Sequence, residues 1–140
     1  MESVERSHRI ISEMYEREDL KACPIEITFR IIGKRWTVLI LREMFTGVNQ
    51  FNRFHENIKG ITPRMLSIRL RELEKEKIVD RIITSKYPVR VEYRLTELGE
   101  KLGPVLLLAA FFSMRQLPKA VFRDGKPRDP MKLINAMPKI

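Results

Sequence analysis

The sequence predicts an α+β fold that is mainly α-helical with one small antiparallel β-hairpin. Three observations carry this. Apolar residues recur at a 3.6-residue period through most of the chain. The period falls to two once, from Val79 to Leu95, about a Lys86-Tyr87-Pro88 turn. Helix-start chemistry, Thr62-Pro63 before that stretch and Thr96 after it, frames the hairpin with helices.

The elements follow in order. Between Ser3 and Asp19, Ile11, Met14 and Tyr15 fall at helical spacing among acids and bases, predicting an amphipathic helix. Cys23-Pro24 interrupts it, and proline is tolerated in a first turn, so a short helix from Pro24 to Ile32 is expected, ended by Gly33. A third helix is expected from about Lys34. Its Trp36, Leu39, Ile40 and Met44 share one face, with Trp36 and Leu39 read as core, and Gly47 closes it. Phe51 to Asn57 reads as a short helix with Phe51 and Phe54 inward.

Thr62 as N-cap and Pro63 at the first position open the best-defined helix, in which Leu66, Leu70, Leu73 and Lys77 mark the inner face. Its outer face carries Arg64, Ile68, Arg71 and Lys75, flanked by Ser67. The hairpin follows, with Val91, Tyr93 and Leu95 on one side of its second strand. Thr96 then caps a long helix expected to run unbroken to about Gln116. That helix is apolar almost all round from Val105 to Met114, so either the domain covers two of its faces or a second subunit covers one. Residues 117–140 hold four of the eight prolines and read as an extended, irregular arm.

Bulk properties limit the function classes. A chain of 140 residues suits one core of ordinary size, and 44% hydrophobic with 32% charged residues excludes a largely disordered protein. A formal charge of +9 attracts polyanions. A single cysteine, Cys23, excludes an intramolecular disulfide and a cysteine-rich zinc site, and fits a reducing compartment. The alternating charges Glu2, Glu5, Arg6 and Arg9 are unlike a signal peptide, and the apolar run Val105 to Phe112 is too short to span a bilayer, so a cytoplasmic location without membrane association is expected. Neither His8 nor His55 has ligand partners at metal spacing. Paired catalytic carboxylates, a serine-histidine set and a phosphate-cradling glycine loop are all missing from the pattern. The sequence is therefore read as a non-enzyme with no catalytic residues, metal or cofactor.

Helices, a two-stranded hairpin and a further helix in this order describe a winged helix-turn-helix. A helix with a cationic outer face fits a B-DNA major groove about 12 Å wide. Arg81, Lys86, Arg90 and Arg94 are the cations of the hairpin, or wing.

Five segments, in order and with matching spacing from Cys23 to about Leu106, resemble the HxlR-type family of winged-helix regulators. They are Cys23-Pro24-Ile25-Glu26; Ile32 to Trp36 with Leu39 to Glu43; Phe51-Asn52-Arg53-Phe54; Gly60 to Leu66 with Arg69 to Glu74; and Pro88 with Val91 to Gly99. The resemblance implies a homodimeric regulator of transcription, expected to be a repressor. Residues 1–22 and 97–116 would be dimerisation helices, 23–96 the winged helix-turn-helix and 117–140 an arm without counterpart. A two-fold dimer presents its recognition helices to half-sites about 34 Å apart. Departures include Gln50 in place of arginine, which implies one phosphate contact fewer, and Arg35 where lysine is usual. Lys77 stands in place of glycine, implying a helix end without its usual αL cap.

The DNA-contact candidates in the recognition helix are Thr62, Arg64, Ser67, Ile68, Arg69 and Arg71. Arginine reads guanine bidentately, and Ile68 either touches a thymine methyl or is a plain surface aliphatic. Arg69 either meets phosphate or pairs with a neighbouring acid. Lys86 and Arg90 in the wing suit phosphate better than bases. Cys23, just before a helix-opening proline, would feel the helix N-terminal field that lowers a thiol pKa; its alternative is a small buried hydrophobe. The resemblance adds sensing of oxidants or electrophiles through this cysteine, by adduct or intersubunit disulfide, and a small-molecule effector is an open partner. The competing reading of the whole chain is a winged-helix module that meets an acidic protein partner and no DNA.

Overall fold

The computed structural model describes residues 2–130. Ten elements occur there: α1 (Glu2–Tyr15), α2 (Pro24–Ile32), α3 (Thr37–Phe45), α4 (Phe51–Asn57), α5 (Pro63–Lys75), β1 (Val79–Lys86), β2 (Val89–Leu95), α6 (Glu97–Glu100), α7 (Gly103–Gln116) and α8 (Pro118–Val121). The fold is the mainly helical one with a single antiparallel hairpin. The chain divides between Arg35 and Trp36 into two compact units.

The first unit holds α1 and α2. The first helix stops at Tyr15, four residues short of the expected end, and the guanidinium of Arg17 then forks onto Asp19 at 2.8 and 3.0 Å. Cys23 caps α2: its Sγ accepts the Glu26 N–H at 3.5 Å, with Pro24 at the first helical position.

The second unit runs from α3 to α8. Its first helix begins at Thr37 rather than near Lys34, because Trp36 takes a left-handed backbone (φ 82°) at the N-cap and breaks the path. The core consists of Ile40, Leu41 and Met44 of α3, Phe54 of α4, Leu66, Leu70 and Leu73 of α5, then Ile58, Ile61, Ile78, Val79 and Phe111. Trp36 and Leu39, expected in the core, are only half-buried: Trp36 precedes the helix, and the buried face of α3 is Thr37, Ile40, Leu41 and Met44, with Leu39 to its side. As expected, Gly47 (φ 95°) supplies the left-handed turn after α3.

The end of α5 corrects two expectations. Lys77 lies outside the helix rather than on its inner face, and the αL cap is present although glycine is not. Lys77 has φ 63°, its N–H donates to Glu74 O at 3.1 Å, and the Ile78 N–H donates to Leu73 O at 3.0 Å. These two bonds make a Schellman motif, which satisfies carbonyls left orphaned at the helix end.

The strands pair antiparallel with Val79 opposite Leu95 and Lys86 opposite Val89, and a bulge at Thr84 shifts the register between Ile83 and Ser85. The Tyr87–Pro88 peptide is cis. The wing is tied down at its base. The Tyr93 N–H donates to Asn49 O at 2.8 Å, and the Thr96 hydroxyl lies 2.5 Å from Lys77 O and 3.2 Å from Ile78 O while accepting the Gly99 N–H at 3.0 Å. Gly99 is buried against the Ile78 carbonyl, leaving no room for a Cβ.

The single long helix expected after Thr96 is two. Pro104 has no N–H and its ring excludes the carbonyl four residues back, so α6 ends at Glu100 and α7 restarts at Gly103. Within the described residues the arm is not wholly irregular: Pro118 to Val121 form a helical turn, after which Arg128 forks onto Asp124 and stacks over Phe122 at 4.1 Å. Residues 131–140 of the expected arm lie outside the described residues.

Candidate nucleic-acid interface

The helix α5 owes its direction to its cap. Thr62 Oγ1 accepts the Met65 N–H at 3.1 Å, and Pro63 sets the first helical φ. Leu66, Leu70 and Leu73 are then buried by α4 and β1, which turns the opposite face outward. Arg64, Arg71 and Lys75 stand exposed on that face without an ion pair among the described residues, with Ser67 half-buried between them.

The other candidates are less open. Ile68, read as exposed, is half-buried and lines a shallow groove with Arg71, Glu72 and Lys75. Arg69 is only 14% exposed, and its Nη1 donates to both carboxylate oxygens of Glu72 at 3.1 and 3.2 Å. Thr62 is exposed but its hydroxyl oxygen is engaged in the cap.

On the wing, Lys86, Arg90 and Arg81 are exposed without an ion pair among the described residues, whereas Arg94 is held by Glu92 at 2.7 Å. Because β1 packs on α5, the wing follows the helix at a fixed junction. The helix brings Arg64 and Arg71 onto one cationic face and the hairpin adds Lys86 and Arg90. Such an arrangement offers charge-assisted hydrogen bonds to phosphates and base edges.

The first unit places a second group of interest. Cys23, half-buried, shares a 2.9 Å hydrogen bond with the Tyr15 hydroxyl in addition to the Glu26 N–H. The Tyr15 hydrogen bond, followed by that of Glu26, holds the Cys23 thiol below its ordinary pKa, and the same contact raises that of Tyr15. Tyr15 was legible in sequence only as an apolar helix residue. Seven residues of irregular chain separate it from Cys23, and no periodicity signals that contact.

The chain matches the family described as HxlR-like helix-turn-helix over residues 31–120, well over half its length. The HTH-type transcriptional regulator YdeP of Bacillus subtilis is 41% identical over 93 residues, covering 66% of this chain and 73% of YdeP. The regulator YodB of the same species is 42% identical over 84 residues, 59% of this chain and 75% of YodB. Among solved structures, the reduced form of YodB superposes with a TM-score of 0.60 at 38% identity, covering 66% of this chain and 91% of that one. The redox regulator HypR in its reduced form gives 0.62 at 38% identity, covering 65% and 90%.

Proposed function

The chain belongs to the HxlR-like helix-turn-helix family of transcriptional regulators, and from that premise we propose that it binds double-stranded DNA sequence-specifically, as a homodimer and as a repressor. The observation that carries this reading is the outward face of α5, where Arg64 and Arg71 stand exposed without an ion pair among the described residues, followed by a wing bearing Lys86 and Arg90. Arg64, Ser67, Ile68 and Arg71 are assigned to the major groove, and Lys86 and Arg90 to phosphate. Thr62 adds its exposed methyl and backbone at the helix start, and Arg69 reaches a phosphate only by leaving Glu72.

Dimerisation is supported by α7, where Val105, Leu108 and Phe112 are 37%, 53% and 61% exposed at helical spacing on one chain. Residues 1–22 and 97–116 are assigned to that interface. No described helix is long and apolar enough to cross a membrane.

Selection of bound duplexes from a random-sequence pool tests the reading. A palindromic consensus is expected, with affinity falling about 10⁴-fold between 50 and 200 mM salt for a dimer making about 8 phosphate contacts. Failure to enrich any duplex, with capture of an acidic protein instead, would point to the protein-interaction module.

Regulation through Cys23 is part of the proposal. It is supported by the Tyr15 and Glu26 hydrogen bonds that favour the thiolate, and by the redox description of HypR. Oxidant should release wild-type protein from DNA and leave Cys23→Ser bound; identical responses of the two would remove thiol control.

A further inference from the structure

The cationic face of α5 carries a carboxylate at its edge. The helix has two acids, Glu72 and Glu74, and Glu72 is the one that lines the shallow groove shared with Ile68, Arg71 and Lys75. That groove holds about 240 Å³. This is below the roughly 300–1,000 Å³ of a small-molecule site, yet ample for the edge of a base. The Glu72 side chain is 37% exposed, and Arg69 Nη1 donates to its two carboxylate oxygens at 3.1 and 3.2 Å. Arg69 is the more buried partner of the two, so it anchors the carboxylate from the protein side. An ionised carboxylate has no donor and about four lone-pair sites, more than the Arg69 fork uses.

On a duplex such a group is selective. In the major groove cytosine presents the N4 amine, a donor, whereas guanine N7 and O6 and thymine O4 only accept. A carboxylate meets an amine with a charge-assisted hydrogen bond and is repelled by acceptor edges and by phosphate. Adenine offers its N6 amine beside the N7 acceptor, a pair that suits a carboxamide better than a carboxylate. We propose that Glu72 is a specificity-determining residue: its carboxylate, anchored by Arg69, accepts the N4 amine of one cytosine in each half-site and penalises duplexes that place an acceptor there. The proposal rests on the DNA-binding reading above, in which Ile68 and Arg71 already face the major groove, and it adds one base to the consensus.

The test runs selection from a random duplex pool in parallel with wild-type protein, Glu72→Ala and Glu72→Gln, followed by competition titrations on duplexes altered at the selected cytosine. Exchange of that cytosine for guanine or thymine is expected to cost the wild type about tenfold in affinity and Glu72→Ala less than about twofold. Glu72→Gln is expected to move the preference to adenine, whose N6 and N7 a carboxamide meets together. Loss of a negative charge by itself strengthens binding to every duplex alike, so the readout is the base at one position rather than overall affinity. Glu72→Ala that keeps the full cytosine preference, or variants that bind all duplexes more tightly with an unchanged consensus, would overturn the proposal and leave the DNA-binding reading standing. Should Glu72→Ala fail to melt as a folded protein, Glu72→Gln decides, and an unchanged consensus again overturns the proposal. A pool that yields no duplex bound by the wild type would overturn both readings.

Discussion

Tyr93 of the wing meets Phe54 of α4 edge to face, with ring centroids 6.3 Å apart and ring planes at 73°. Phe54 is fully buried, and the backbone of Tyr93 is bonded to Asn49 just before the same helix. The wing is thus referenced to the helix-turn-helix by one aromatic pair and one main-chain bond. A double-mutant cycle of Phe54→Leu and Tyr93→Leu should show a coupling of about 1 kcal/mol in chemical denaturation. Additive single changes would mean that the two rings are neighbours without being partners.

Lys77 holds a left-handed backbone that glycine adopts without steric penalty. Lys77→Gly should stabilise the protein by roughly 0.5–1 kcal/mol, seen as a higher denaturant midpoint at unchanged slope. The unfolded chain also gains freedom with glycine, so the gain is smaller than the relief of the left-handed strain alone.

Thr96 joins the wing exit to the α5–β1 junction through both roles of its hydroxyl. Thr96→Val keeps the shape and removes donor and acceptor together, leaving the Gly99 N–H without its cap. A loss of about 1–3 kcal/mol is expected, against about 1 kcal/mol for Thr62→Ala, which loses a single capping bond. Thermal melts of the two variants should rank in that order.

Tyr15→Phe removes the hydroxyl that most lowers the Cys23 thiol pKa. The thiol pKa then rises toward its ordinary value, the thiolate fraction at neutral pH falls, and alkylation by iodoacetamide slows. The rate-against-pH curve should move to higher pH, and the two proteins should react alike once both thiols are fully ionised. Coincident curves at every pH would show that the Tyr15 contact does not tune the thiol in solution.

Arg64→Ala and Lys86→Ala should weaken DNA binding differently. A base-reading arginine costs about 1–3 kcal/mol and relaxes the consensus at one position, whereas a phosphate lysine weakens all sequences alike and lowers the salt slope by about one. Competition titrations against single-base variants of the selected duplex, repeated at two salt concentrations, separate the two.

Much was legible before any coordinates. Pro24, Thr62-Pro63 and Thr96 are start signals written in side-chain chemistry, so α2, α5 and the wing exit lie where those residues place them. The period of two and the β-branched residues from Val79 to Leu95, about the Lys86-Tyr87-Pro88 turn, specify a hairpin, and the leucines at 66, 70 and 73 decide which face of α5 is buried and hence which bears Arg64 and Arg71. What stayed hidden depends on backbone choices or on contacts across irregular chain. The left-handed turns at Trp36 and Lys77 are taken by residues that ordinarily avoid them. The break at Lys101 and Leu102 precedes the apolar run from Val105, and Gly103-Pro104 is its signal in the sequence. The Tyr15–Cys23 bond, the Arg69–Glu72 pair and the exposure of Tyr87 were settled only when the chain had a shape. Periodicity reports which side of an element is wet, but which neighbour a polar group meets is decided by where the elements come to rest.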